Sequence, residues 1–347
     1  MNANSEPKIA ATPSRRKRRL QNLALSGVVF LLCLAAFEFG LRLCGYGNLE
    51  IYAPDPKLYW KLKPNQDCYT KIGHKPVHIN SQGLRGPEFQ MEKPANTIRI
   101  LSLGDSRTFG WGLSDEETYS RRLERSLQAY VGPGKKVEVI NAGVNAWSYS
   151  QMLVYFRDFG LRYQPDFVML ADANLWTQFS EKNSPEFVKK FMWRVRLKNW
   201  LRRSAIYHFV LEVELRKLYE PARNLFIPVD PKQDALFKAQ QQSDPDAVFR
   251  EAIEGVCRVA RTNHVQPVLL CLPTINDLMA TGQISGVLQM KRTAGTKFAA
   301  PVVDLTPDLR PYGKNIYLPA DPLHFTVQGN VIVAERLFET FTNGLIK

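Results

Sequence analysis

Five short apolar runs, at residues 98–103, 137–140, 167–170, 265–272 and 302–305, constrain this chain more than any other feature. Each has the length of a strand, and none alternates cleanly between apolar and polar. Between them lie stretches with helical spacing, at 118–131, 148–163, 246–263 and 326–341. Strands without a polar face, separated by helices, predict a mostly parallel sheet covered on both sides. In such sheets the ligand site lies at the carboxyl ends of the strands. Residues 181–244 break the rhythm with charged, helical periodicity and read as a helical insertion or cap over the α/β domain of 97–347. Residues 44–96, rich in Pro, Gly, Asn and Lys, read as an extended lead-in that packs on that domain.

The amino-terminal end has a different character. Residues 1–22 form a basic tail that contains Arg15, Arg16, Lys17, Arg18 and Arg19. Residues 23–43 follow as an apolar stretch, interrupted only by Glu38 and Arg42. At about 1.5 Å per residue the stretch reaches roughly 31 Å, one hydrocarbon thickness. Glu38 and Arg42 are four residues apart, so on a helix they share a face and can pair. The run is long for a cleaved signal peptide and no Ala-x-Ala site follows it. A buried helix of a soluble domain is the third reading, and the absence of a stop signal or polar face argues against it. The run is therefore expected to be a single transmembrane anchor, with the basic tail cytoplasmic and everything after it outside, in a periplasm or its equivalent. The tail also explains part of the charge, since residues 1–19 carry +5 of the net +13. No nucleic-acid partner is expected, because the domain faces away from the cytoplasm and no recognition motif occurs. Five cysteines are too few for a disulfide framework, and Cys271, inside an apolar run, is expected to be buried packing.

Chemistry enters directly after the first run, where Gly104-Asp105-Ser106 opens the text GDSRTFGWG. A serine at the carboxyl end of a strand, entering a helix, is well placed as a nucleophile. The same three letters also suit a tight turn with a capping serine. A nucleophilic serine needs a base, and the base needs an orienting carboxylate. Asp321 and His324 stand three apart on a turn before the last helix, a spacing that lets the carboxylate hold the ring nitrogen facing away from the serine.

With these residues in view, the chain resembles the SGNH (GDSL-type) hydrolase superfamily, and in particular its membrane-anchored bacterial members. Gly104–Ser106 is similar to the family's first block, and Asp321 with His324 to its last. The texts INSQGLRGPE at 79–88 and NAGVNAWSYSQ at 141–151 are also similar, and the likeness spans roughly 50–345 except 181–244. It implies a three-layer α/β/α, flavodoxin-like fold around a five-stranded sheet. It implies Ser106 as nucleophile, His324 as general base and Asp321 as its orienter. The oxyanion hole would comprise the Ser106 N–H, the Ala146 N–H and the Asn174 side chain. The family usually has Gly where Ala146 stands, with Gly143 the alternative if the alignment slips by three. Around Asn174 the family's usual Gly and Asp are Ala173 and Leu175. Arg107 is an added feature, a candidate for binding a substrate carboxylate or phosphate.

The resemblance implies a serine esterase that removes O-acyl groups, O-acetyl among them, from a cell-envelope or extracellular polysaccharide, without cofactor or metal. Two alternatives use the same fold. One is an O-acyltransferase in which a sugar hydroxyl replaces water, supplied by a membrane acyl-transfer partner. The other is a non-catalytic glycan-binding or assembly protein.

Residues 187–203 stay outside this reading. They hold seven basic residues, no acidic one, and Trp193 and Trp200. Such a helix suits an anionic membrane surface or an acidic glycan, and equally a solvated face of the cap. His74 and His78 have the spacing of helical metal ligands, but Pro76 between them argues against the helix.

Overall fold

The computed structural model describes residues 15–47, 52–70, 75–173, 185–210, 245–280, 285–319, 321 and 323–346. Five parallel strands form the centre: β5 (Thr97–Gly104), β6 (Lys136–Gly143), β7 (Phe167–Leu170), β8 (Gln266–Cys271) and β9 (Val302–Asp304). Their spatial order is β6-β5-β7-β8-β9, so the chain reverses its direction of travel across the sheet after β6. β5 therefore sits at the topological switch, where open α/β sheets form a crevice. Each strand covers or overlaps one of the five apolar runs.

Alternation along the strands divides the core into two layers. Ile100, Val139, Met169 and Val268 point to one face, where they meet Tyr119, Leu123 and Leu127 of α2 (Tyr119–Val131) and Val333, Leu337 and Phe341 of α7 (Val327–Thr342). Leu101, Leu103, Ile140, Val168 and Leu269 point to the other. There they meet Met152 and Phe156 of α3 (Tyr149–Asp158), Ile253 and Val256 of α5 (Pro245–Thr262), and Met290 and Ala294 of α6 (Gly286–Phe298). The result is the three-layer α/β/α arrangement. Helix starts follow local chemistry. Thr118 caps α2, Ser148 and Gln151 form a capping box on α3, and Thr326 caps α7.

The lead-in forms four short strands. β1 (Tyr52–Asp55) and β2 (Tyr59–Leu62) form one antiparallel pair, and β3 (Gln66–Tyr69) and β4 (Pro76–Ile79) another. Leu58, Leu62, Val77 and Ile79 are buried in the main core. A bridge from Arg85 to Asn141 joins the lead-in to β6 at the edge of the sheet. Of the insertion, 185–210 falls among the described residues and is helical, chiefly α4 (Pro185–Leu201); residues 211–244 lie outside them. His74 also lies outside, and the His78 ring is bonded to Asp67 at 2.7 Å.

α1 (Arg15–Leu43) is long and apolar enough to cross a membrane, and among the described residues it is the one helix that is. Its apolar side chains point outward, and Glu38 and Arg42 pair at 2.7 Å.

Candidate active site

The carboxyl end of β5 runs through Gly104 and Asp105 into a one-turn helix, Ser106–Phe109. Asp105 caps it by accepting from the Arg107 N–H at 2.9 Å. Gly104 and Gly143 pair across β5 and β6, and both lack a side chain for a spatial reason. A Cβ at Gly143 would lie 2.2 Å from the Phe109 nitrogen, and one at Gly104 would lie 1.8 Å from Thr108 Oγ1. The turn that carries Ser106 thus rests directly on the strand ends.

A second segment reaches the same place from the far end of the chain. The stretches on either side of Asp321 are joined there through Leu318 N–H to His324 O (2.8 Å) and Thr326 N–H to Ile316 O (2.8 Å). Asp321 accepts the N–H groups of Leu323 (2.9 Å) and His324 (3.1 Å) on Oδ1, which leaves Oδ2 for the ring. His324 Nδ1 lies 2.7 Å from Asp321 Oδ2, and His324 Nε2 lies 2.8 Å from Ser106 Oγ. With Nδ1 against a carboxylate, the proton belongs on Nδ1, and the Nε2 lone pair faces the serine hydroxyl. Partial burial pushes the Asp321 carboxyl up. The hydrogen bond from the His324 ring, the positive charge that ring carries when protonated, and the two N–H groups outweigh this and hold it below the ordinary range. Trp111 covers the imidazole, with ring centroids 6.0 Å apart.

The other residues singled out in the sequence fare differently. Ala146 stands in a turn closed by Trp147 N–H to Val144 O (3.1 Å), and Val144 N–H in turn bonds Gly104 O (3.1 Å). The turn therefore abuts the carboxyl end of β5. Ala146 has φ +64°, the left-handed region that glycine adopts without strain. Gly143, the alternative, donates its N–H to Asn141 Oδ1 at 3.0 Å, so that donor is already engaged. Asn174 lies outside the described residues. Arg107, the candidate for binding a substrate carboxylate or phosphate, is buried beside Ser106 with its guanidinium engaged by protein groups. Its guanidinium donates to Asp105 Oδ1 (3.2 Å) and Oδ2 (3.0 Å), to Leu272 O (2.8 Å) and to Ala173 O (3.4 Å). Asp105 neutralises its charge and burial immobilises it, so the side chain ties strand ends together. The helix after Ser106 is also too short to build the dipole that a long helix would offer.

Three positioning residues escaped the sequence reading. Arg85 of the lead-in is buried and donates to Phe109 O (2.6 Å), Gly110 O (2.8 Å) and Leu113 O (2.6 Å), with Asp115 as its counter-ion at 2.6 Å. Asp172 follows β7, and its carboxylate accepts from Lys291 Nζ (2.6 Å), Tyr149 OH (2.9 Å) and the Leu272 N–H. Lys291 is fully buried and also donates to Leu270 O (2.6 Å). Burial pushes the Asp172 carboxyl up, but the charges of Lys291 and Arg107 more than offset it and hold it low. Cys271 is buried as expected, and burial raises its thiol to about 12. A cavity of about 420 Å³ opens beside Ser106, with Pro273, Thr274, Leu288, Arg292, Arg310 and Leu323 in its wall.

No family model matches the chain, and no curated protein matches it in sequence. Solved structures do superpose on it. One is TesA, at 13% identity and TM-score 0.44, covering 71% of this chain and 98% of that one. Another is a lipase/acylhydrolase from Enterococcus faecalis, at 18% identity and TM-score 0.44, covering 71% and 96%. A third is a two-domain esterase active on acetylated mannans, at 16% identity and TM-score 0.44, covering 71% and 49%. Likeness at this level bears on neither substrate nor site.

Proposed function

We propose that this chain is an SGNH-type serine esterase anchored in a membrane by α1, which removes O-acyl groups, O-acetyl among them, from an extracytoplasmic polysaccharide. The observation that carries the proposal is the unbroken run of hydrogen bonds from Ser106 Oγ through the His324 ring to Asp321. Ser106 Oγ attacks the ester carbonyl while His324 Nε2 takes its proton. The tetrahedral oxyanion is held by the N–H groups of Ser106 and Ala146 and by the Asn174 side chain. Ser106 opens its helix, so its N–H has no partner one turn earlier. His324 then returns the proton to the departing sugar oxygen, which leaves an acyl-serine. Water, deprotonated by His324, releases the carboxylic acid and restores the hydroxyl.

The adjoining cavity is of a size usual for small-ligand clefts. The acyl and sugar preferences rest on the resemblance to the family and on location, since a basic tail kept inside would leave the domain on the side where envelope polysaccharides lie.

Purified full-length chain in detergent provides the test. Wild type is expected to react with a fluorophosphonate probe and to hydrolyse 4-nitrophenyl acetate, and Ser106→Ala and His324→Ala to do neither. A folded wild type that does neither would overturn the proposal.

A further inference from the structure

The outer end of α1 is bonded to the segment that follows α4. The Glu38 carboxylate accepts from the Ser204 hydroxyl (2.9 Å), the Ala205 N–H (2.8 Å), the Ile206 N–H (3.0 Å) and Arg42 Nε (2.9 Å). Arg42 Nη2 donates to Arg203 O at 2.6 Å, and the Gly47 N–H donates to the buried His208 ring at 2.8 Å. Phe37 and Tyr46 stand edge-on to Phe209. These contacts explain how a carboxylate is tolerated five positions from the end of an apolar run, since four donors surround it. They also fix the carboxyl end of α4 at the level where α1 would leave the hydrocarbon.

α4 presents two unlike faces. Phe187, Val188, Phe191 and Val195 pack on the β1–β2 pair, with the Phe191 ring 5.3 Å from Trp60 and the Phe187 ring 6.1 Å from Tyr59. On the opposite side Trp193, Leu197 and Trp200, spaced four and three residues apart, are 60%, 41% and 65% exposed. Lys189 and Arg196 flank this stripe on one side and Lys190 on the other, all exposed. No acidic residue occurs from 187 to 203. A face solvated by water gains nothing from two exposed indoles. An interfacial helix gains from both parts, because indoles settle at the headgroup level while lysine and arginine reach the phosphates.

We infer that α4 lies along the outer surface of the membrane that α1 crosses, with Trp193, Leu197 and Trp200 in the interface and Lys189, Lys190 and Arg196 on anionic headgroups. The inference rests on α1 being the anchor. It gives the domain a fixed face toward the lipid. α4 sits on β2, and Trp60 of β2 donates to Asn145 O at 3.0 Å, one residue from Ala146, so the site is held at a set height and orientation.

Tryptophan fluorescence of the full chain in nanodiscs with brominated acyl chains tests this, with and without phosphatidylglycerol. α1 holds no tryptophan, so the signal does not report the anchor itself. Two of the six tryptophans lie on the stripe, so about one third of the wild-type emission is expected to be quenched in anionic discs. Trp193→Phe and Trp200→Phe should each remove about half of that quenching, and Lys189→Ala/Lys190→Ala/Arg196→Ala should lower it. Both indoles should also resist acrylamide. If the chain enters the discs and Trp193 stays unquenched and open to acrylamide, α4 does not lie on the membrane, although the anchor stands. Protection of the indoles by an acidic polysaccharide alone, with no quenching in the discs, would overturn the inference in the same way. If the chain does not enter the discs, the anchor reading falls and takes this inference with it.

Discussion

Replacing Gly143 with alanine isolates the contact between β6 and the serine turn. Gly143 is not among the glycines with positive φ, so an alanine can take its backbone conformation. What the alanine cannot do is fit. Its Cβ would lie 2.2 Å from Phe109 N, 2.6 Å from Thr108 C and 2.8 Å from Phe109 Cα. These are backbone atoms, so no rotamer change relieves the collision. The turn of Ser106 must retreat by about 1 Å to reach ordinary contact, and a misplacement of that size costs about 10²-fold in rate when it falls on the reacting group. Overpacking a core position also costs about 1–3 kcal/mol. For a domain of this class that corresponds to roughly 2–12 °C in melting temperature. Turnover of 4-nitrophenyl acetate, the rate of fluorophosphonate labelling and thermal unfolding of the full chain are the measurements. Gly134→Ala is the control, because nothing lies within 4 Å of a Cβ there. A Gly143→Ala enzyme with turnover and melting temperature equal to wild type would refute the claim that the serine turn rests on β6.

Ala146→Gly should relieve about 1–2 kcal/mol of left-handed strain. Greater freedom of the unfolded chain returns about 0.4–1 kcal/mol. Urea unfolding should therefore show a gain of up to about 1.5 kcal/mol, with a loss in Ala146→Val. Asp321→Asn removes the charge that fixes the imidazole, and kcat should fall by about 10⁴, read in the same ester assay. Lys291→Met leaves the Asp172 carboxylate buried without its nearest cation and should cost about 3–5 kcal/mol. Adding Asp172→Asn should recover part of that loss in thermal unfolding. The folded Asp172 carboxyl is held below its unfolded value of about 3.9. Its stabilising contribution is thus complete above pH 3.9 or so and is lost as pH falls through the lower folded value. The acid limb of the stability curve should be shallower in Lys291→Met, as followed by circular dichroism.

The sheet was legible because its strands are buried on both faces and contain few interruptions. The run 167–170 coincides with β7, and 98–103 lies within β5. The ends were less so, because Gly104, Asn141 and Gly143 continue their strands through backbone pairing that hydrophobicity does not reveal. α6 was not anticipated. Its buried face includes Lys291 and Gly295, residues that break an apolar pattern and make sense only once Asp172 and Val302 lie against them. The meeting of Ser106 with His324 and Asp321 was readable from the residue types and their places at the ends of elements. The supports around it were not. Arg85 stands in a polar lead-in and Arg99 is the one charge inside an apolar run, and neither shows its partners in the sequence. Both are buried, because carbonyl groups and the carboxylates of Asp115 and Glu138 happen to converge on them in three dimensions.

Arg85 also decides where the working unit begins. Its guanidinium joins four acceptors that lie twenty-four to thirty positions further along the chain, and each helps shape the exit of the turn that carries Ser106. A lysine could satisfy one of them at a time, but not the fork. A fragment beginning at β5 would keep every strand of the central sheet and still lose this clasp. The smallest piece of the protein able to present the serine correctly therefore starts upstream of residue 85, inside a stretch whose composition gives no sign that the rest depends on it.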